Sequence, residues 1–335
     1  MQVLRKILFP VSLLYAMVVH LRNYFYDKGV FKSKSYRTPI ICVGNLSVGG
    51  TGKTPMIEFL ISELSQEFKV AVLSRGYRRK SKGFRLADKN MTVEVLGDEP
   101  FQIHSKFPQI TVAVDADRRN GISILEDKVS PDFILLDDAF QHRSVKPDFS
   151  ILLTSYGNLY IDDWYVPTGN LRDNKREAKR ADLIIVTKCP PDLNGTVRNS
   201  ITRKLKPKPH QHVLFSYLAY DTLLKGSDKD IPLEKLKNKK ITLVTGIANP
   251  GPLVSYLEKE DIDFDHLQFQ DHHFFTEKEL IQLRKKDCII TTEKDYVRLK
   301  DSLKNLYYIL IKHKFQGDDK EILDNRLKEI MKTDF

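Results

Sequence analysis

The run Ile40-Ile41-Cys42-Val43-Gly44-Asn45-Leu46-Ser47-Val48-Gly49-Gly50-Thr51-Gly52-Lys53-Thr54-Pro55 leaves this chain few folds to choose from. Its first residues are apolar, rich in β-branched side chains and introduced by Pro39, which reads as a buried strand. A glycine-rich turn follows. From Met56 to Gln66, Ile57, Leu60, Ile61 and Leu64 recur at helical spacing. Strand, glycine loop, Lys-Thr and helix is the order of a P-loop. Glycines allow successive backbone N–H groups to converge on phosphate oxygens, and the helix N-terminus adds partial positive charge. The expected phosphate cradle is Ser47, Val48, Gly49, Gly50, Thr51, Gly52, Lys53 and Thr54. Lys53 is placed to reach the β- and γ-phosphates, and the Thr54 hydroxyl to ligate Mg²⁺. Ser47 stands where the usual pattern opens with Gly or Ala.

A P-loop needs an acidic strand end nearby. Asp132 to Leu136 is an apolar run leading into Asp137-Asp138-Ala139-Phe140-Gln141-His142-Arg143, the Walker B arrangement in which a carboxylate serves Mg²⁺. Further strands are expected at Lys69–Ser74, Thr111–Val114, Phe149–Leu153 and Leu183–Thr187, alternating with helical stretches. That alternation argues for a mostly parallel sheet flanked by helices, with right-handed crossovers. The second strand ends in Arg75-Gly76-Tyr77-Arg78-Arg79, at the carboxyl edge where α/β sheets bind ligands. Gly97-Asp98-Glu99-Pro100 opens a helix over Phe101 to Lys106, and spacing alone reads its acids as helix N-terminal charge.

Past the Pro- and Lys-rich stretch 190–209, a second, smaller α/β lobe is expected. Its strands are 213–220, 241–246, 289–292 and 307–311, and a terminal helix covers 321–331. The adjacent His272 and His273 lack a third ligand at suitable spacing for zinc. The expected divisions are 1–27, an N-terminal segment; 28–205, the P-loop domain; and 206–335, a lobe closing the cleft.

The 335 residues carry a net charge of +10, which favours anionic partners such as phosphorylated substrates or an acidic membrane surface. No nucleic-acid module is recognisable. Three cysteines without CxxC spacing argue against a disulfide framework and for a reducing compartment. Ile7 to Val19 is mostly apolar, flanked by Arg5, Lys6 and Arg22 and followed by Tyr24, Phe25 and Tyr26. It is shorter than the roughly 18–20 residues that span a bilayer. An amphipathic helix in the membrane interface fits it.

Taken in order, VGNLSVGGTGKTP, SRGYRR, GDEP, DRRNG, LLDDAFQHR, PTGNLRD and FQDHHFF resemble the tetraacyldisaccharide 4′-kinase family over almost the whole chain. The resemblance implies transfer of the ATP γ-phosphate to the 4′-hydroxyl of a tetraacylated disaccharide 1-phosphate, giving lipid IVA. It implies ATP and Mg²⁺ as cofactors, and a peripheral protein on the cytoplasmic face of the bacterial inner membrane with no obligatory protein partner. It makes Asp98 the general base, with His272 favoured over His273 as its partner and Lys53 on the phosphates. Thr54, Asp137 and Asp138 serve the metal, and Arg75, Tyr77, Arg118, Gln141 and Arg172 line the cleft. Where this family usually has Leu-Arg-Glu-Pro, the chain has Leu171-Arg172-Asp173-Asn174, so a metal or nucleotide role for Asp173 stays open. Base identity is open too: no Asn-Lys-x-Asp guanine signature is present, which favours ATP. An ATPase that passes phosphate only to water, or a nucleotide-binding scaffold, would share the P-loop.

Overall fold

Strands β1 (Ile40–Asn45), β2 (Val70–Ser74), β3 (Arg85–Leu86), β4 (Thr111–Val114), β5 (Phe133–Asp137), β6 (Phe149–Ser155), β7 (Leu183–Thr187) and β8 (His212–Tyr220) build most of a large sheet. The structure is a computed structural model and describes residues 5, 7–271 and 273–331. A last strand, β15 (Ile311–Phe315), completes the order β15-β8-β7-β6-β1-β5-β2-β4-β3. The strands from β8 to β4 run parallel, and only the edge strands β15 and β3 pair antiparallel. This is the expected mostly parallel α/β sheet. Burial on both faces explains why these strands read as unbroken apolar runs rather than alternating ones.

Alternate residues of each strand feed two cores. Ile40 and Cys42 point to one, with Ile122, Leu125 and Phe215; Ile41 and Val43 point to the other. The second core is closed by helix α2 (Lys53–Leu64), whose Met56, Ile57, Leu60, Ile61 and Leu64 have no exposed surface. Each such side chain contributes roughly 1.5–3 kcal/mol through burial. The core therefore fixes the axis of the helix that carries the P-loop at its N-terminus.

A second sheet has the order β10-β9-β14-β13-β11-β12. It comprises β9 (Leu223–Gly226), β10 (Ile231–Pro232), β11 (Ile241–Thr245), β12 (Phe264–Gln268), β13 (Ile289–Thr292) and β14 (Leu306–Ile309). The expected single strand at 307–311 is two strands, β14 in the small sheet and β15 in the large one, separated only by Leu310. An apolar run records burial but not which sheet does the burying. A division at 205/206 would also cut the large sheet, because β8 and β15 belong to it. The chain thus crosses between the sheets at 221–222 and returns at Leu310. The two crossings are tied together by Asp221 N–H to Leu310 O at 2.9 Å and by the Lys312–Asp221 ion pair at 2.9 Å.

Helix α1 (Phe9–Asp27) is turned inside out relative to an ordinary surface helix. Its buried residues are Ser12, Val19 and Asn23, whereas Val11, Leu14, Val18 and Leu21 are more than half exposed. Polar groups dock it: Ser12 Oγ donates to Thr168 Oγ1 at 2.8 Å, Asn23 Nδ2 to Asp173 Oδ1 at 2.7 Å, and Tyr15 Oη to the Arg172 carbonyl at 3.0 Å. Among the described residues, no helix is long and apolar enough to cross a membrane.

Close approach fixes one residue of β1. A Cβ on Gly44 would lie 2.5 Å from Phe140 Cβ and 2.9 Å from its backbone nitrogen. Gly44→Ala should destabilise the protein by about 1–3 kcal/mol, read as a lower urea midpoint. An unchanged midpoint would mean that the strand and the residue 140 turn are not so tightly packed.

Candidate nucleotide and phosphoryl-acceptor site

The P-loop spans the gap between β1 and α2, at the carboxyl edge of the large sheet. Gly49 and Gly52 have φ of +112° and +82°, which only glycine adopts without strain, so the loop's turn depends on them. Four separate elements then hold it. Asn45 Nδ2 donates to Thr51 Oγ1 at 2.9 Å, and Thr187 Oγ1, at the end of β7, donates to the Thr51 carbonyl at 2.8 Å. Val48 N–H donates to Asn170 O at 2.7 Å and Arg172 N–H to Leu46 O at 2.8 Å, pairing the loop's first half with the 164–172 segment. His313 Nε2 donates to the Gly52 carbonyl at 3.0 Å, while its Nδ1 accepts from Ser216 at 3.0 Å. Ser47, half-buried, keeps its hydroxyl without a hydrogen-bond partner.

Beside the loop, β5 ends in Asp137 and Asp138 follows it, and the environments of the two differ. Burial and then the neighbouring Asp138 push the Asp137 carboxyl up to about 6, and Ser74 Oγ donates to it at 3.0 Å. Burial also opposes ionisation of Asp138, but Lys53 at 3.6 Å and a bidentate Arg172 outweigh it and bring that carboxyl down to about 2. Asp138 sits at φ +50°, a strained backbone for an aspartate, which aims it at those two cations. Arg172 also donates to the Asn45 side chain, so one guanidinium joins the P-loop strand to the acidic strand end.

The remaining expected residues divide by location. Arg118 is 1% exposed, and its guanidinium donates to the backbone carbonyls of Asp115 at 2.6 Å and Asp137 at 3.4 Å. It lies beneath the site, bracing two strand ends. Gln141 likewise donates to the Asn45 carbonyl at 2.6 Å. Arg75 and Tyr77 are exposed at the end of β2. Asp173 is fully buried, holding Asn23 and the Asn174 N–H, so its part is to anchor α1. Motif position alone did not show this, because the partner Asn23 is 150 residues away.

Asp98 begins helix α4 (Asp98–Lys106) rather than preceding it, since the helix starts three residues before the expected Phe101. Gly97, just before it, packs against the backbone after β2, where a Cβ would lie 2.9 Å from the Tyr77 carbonyl oxygen, so the N-terminus of α4 sits at the end of the strand beside β5. A forked ion pair joins Asp98 to Arg298, at 2.5 Å, from the small lobe. Arg298 was not among the sequence candidates; it lies in no motif. His272 lies outside the described residues. His273 is committed elsewhere: its ring stacks on Phe269 at 4.8 Å and its Nε2 pairs with Glu279 at 3.0 Å.

A glycine loop before a helix, a lysine and threonine at that helix's start and a carboxylate pair on the adjoining parallel strand define a P-loop nucleotide-binding protein of the phosphoryl-transfer class. Comparison with known proteins places it more closely. The sequence profile of the tetraacyldisaccharide-1-P 4′-kinase family matches residues 4–331, and the chain belongs to that family. It is 51% identical over 321 residues to the tetraacyldisaccharide 4′-kinase of Flavobacterium johnsoniae, covering 94% of both chains. It is 44% identical to that of Bacteroides thetaiotaomicron, covering 88% of this chain and 83% of the relative. The fold matches the crystal structure of LpxK from Aquifex aeolicus in complex with ATP, with TM-score 0.81, 30% identity, and coverage of 98% of this chain and 99% of that one.

His313 makes a pH prediction. Burial lowers its pKa from 6.5 to about 4, so the folded chain keeps it neutral while the unfolded chain protonates it. Its contribution to stability is complete above pH 6.5 and is lost as pH falls through about 4. His313→Gln, which retains an N–H for Gly52, should flatten the acid side of the stability profile by up to about 3 kcal/mol across that window. Parallel wild-type and variant profiles, from thermal unfolding at stepped pH, would refute the assignment.

Proposed function

We propose that this protein transfers the γ-phosphoryl group of ATP to the 4′-hydroxyl of a tetraacylated disaccharide 1-phosphate at the cytoplasmic face of the bacterial inner membrane, giving lipid IVA. The observation that supports this reading, beside family membership, is that the α4 N-terminus, with Asp98, packs against the Gly76–Tyr77 backbone after β2, the strand beside β5, at the carboxyl edge that carries the P-loop. In this reading Asp98 is the carboxylate on the acceptor side of the phosphate site. Water-directed hydrolysis would not need one held by a second lobe.

In this reading the amides of residues 47–54 and Lys53 hold the β- and γ-phosphates, and Arg172 fixes Asp138 so that Lys53 stays in place. Asp98 accepts the proton of the sugar hydroxyl as its oxygen attacks the γ-phosphorus; the bond to the β-bridging oxygen breaks and ADP leaves. His272, by the resemblance, partners Asp98. Most of the acceleration comes from position and fixed charge. Thr54 and Asp137 are hard oxygen donors of the kind Mg²⁺ takes, and Asp137, crowded by Asp138, is the carboxylate that gains most from a cation. Asp138, already held by Lys53 and Arg172, would act behind them. A bound Mg²⁺ would supply neutralisation of phosphate charge.

The exposed face of α1 is the surface proposed to lie in the membrane interface, with Arg5 and Lys28 toward anionic headgroups. Two grooves of about 410 and 510 Å³, sharing Phe9, Asp163 and Trp164, open beside it and suit acyl chains. The two sheets are proposed to act as lobes about the 221–222 and Leu310 crossings.

The test uses γ-labelled ATP, Mg²⁺ and detergent-dispersed tetraacyl disaccharide 1-phosphate. Label should enter the lipid with wild type and fall by about 10²-fold or more with Asp98→Ala, while ATP still binds. Label released only as free phosphate would make the protein an ATPase. Removing residues 1–27 should raise the apparent KM for lipid more than that for ATP; equal loss of both would assign the helix to folding instead.

A further inference from the structure

Helix α9 (Glu293–Leu299) carries Lys294 and Arg298 four residues apart, on one face. That face meets the N-terminus of α4. Arg298 Nε donates to Asp98 Oδ1 at 3.2 Å, and its Nη2 to Oδ2 at 2.5 Å. Its Nη1 donates to the His273 carbonyl at 2.8 Å. Lys294 Nζ lies 3.4 Å from Asp271 and 3.9 Å from Glu99. The same two cations therefore grip both the acceptor-side helix and the loop on either side of His272.

The pairing is built for direction as well as charge. Arg298 and Asp98 are 5% and 8% exposed, so little water screens them. The guanidinium also lies over the Phe274 ring at 4.9 Å, which restricts its plane. Only arginine presents a rigid fork with a further N–H for a third acceptor. At the other end of α9, Glu293 pairs with Lys106 at 2.9 Å, and Lys106 pairs with Glu58 on the P-loop helix at 2.6 Å. Docking of α9 is thereby linked to both α4 and α2.

We propose that Arg298 is a positioning residue for phosphoryl transfer: by holding the Asp98 carboxylate and the His273 carbonyl at once, it orients the base toward the acceptor hydroxyl when the small lobe is docked. The inference rests on Asp98 being the base. A buried ion pair that merely supports folding would require neither the fork nor the third bond.

Arg298→Met and Arg298→Lys are compared with wild type and Asp98→Asn for thermal midpoint, ATP binding, kcat, lipid KM and the pH dependence of kcat/KM. With ATP affinity kept within about threefold, Arg298→Met should lose on the order of 100-fold in kcat, the scale of a misplaced reacting group. Its acid limb should move to higher pH, since an opposing cation favours the carboxylate. Arg298→Lys, which keeps charge but not the fork, should restore the limb more than it restores kcat. An Arg298→Lys enzyme with wild-type kcat overturns the proposal even where Arg298→Met fails to fold. So does a kcat loss that follows only the loss of folded, ATP-binding protein with an unmoved limb. Full activity in Asp98→Asn would instead sink the base assignment itself, and loss there beside wild-type behaviour of both Arg298 variants would overturn this inference alone.

Discussion

The contact between Arg172 and Asp138 is the one on which the rest of the site depends. It joins the end of β5 to Asn45 at the end of β1, and Asn45 in turn holds Thr51 inside the phosphate loop. Two adjacent carboxylates in a buried place would repel one another and take up protons. A bidentate guanidinium and Lys53 keep Asp138 ionised, and the strain is left on Asp137. The result is asymmetric: one carboxylate satisfied by protein cations, and one whose ionisation burial and its neighbour oppose.

The same segment ties the phosphate site to the molecule's apolar flank. Arg172 receives Tyr15 at its carbonyl, Asp173 receives Asn23, and Thr168 meets Ser12. Helix α1 spends its polar residues on these contacts and turns its apolar ones outward. In water that arrangement is unfavourable by roughly 25 cal/mol for each Å² left exposed, and only an apolar environment reverses the sign. The segment 164–173 therefore has the P-loop on one side and the helix on the other.

Much of this was legible in the sequence. Phosphate loop, acidic strand end and sheet class follow from local residue types, because glycines, a lysine-threonine pair and unbroken apolar strands have few other uses. The start of α4 at Asp98 and the split of 307–311 into two strands were not legible. Periodicity registers that a residue is buried, and partners in another sheet leave no mark on it. Arg118 read as a cleft arginine because it sits in a basic motif, yet burial sets it to bracing strand ends.

What the sequence determined by itself is the chemistry available: a glycine-rich phosphate loop, a carboxylate pair and a net charge of +10. What tertiary structure decided is which groups meet. Arg298 reaches Asp98 across 200 residues, His313 reaches Gly52 across 261, and Asn23 reaches Asp173 across 150. The reason is physical. Backbone conformation is set by neighbours in the chain, whereas the cost of a buried charge or an unpaired polar atom is relieved only by whatever the packed fold brings beside it.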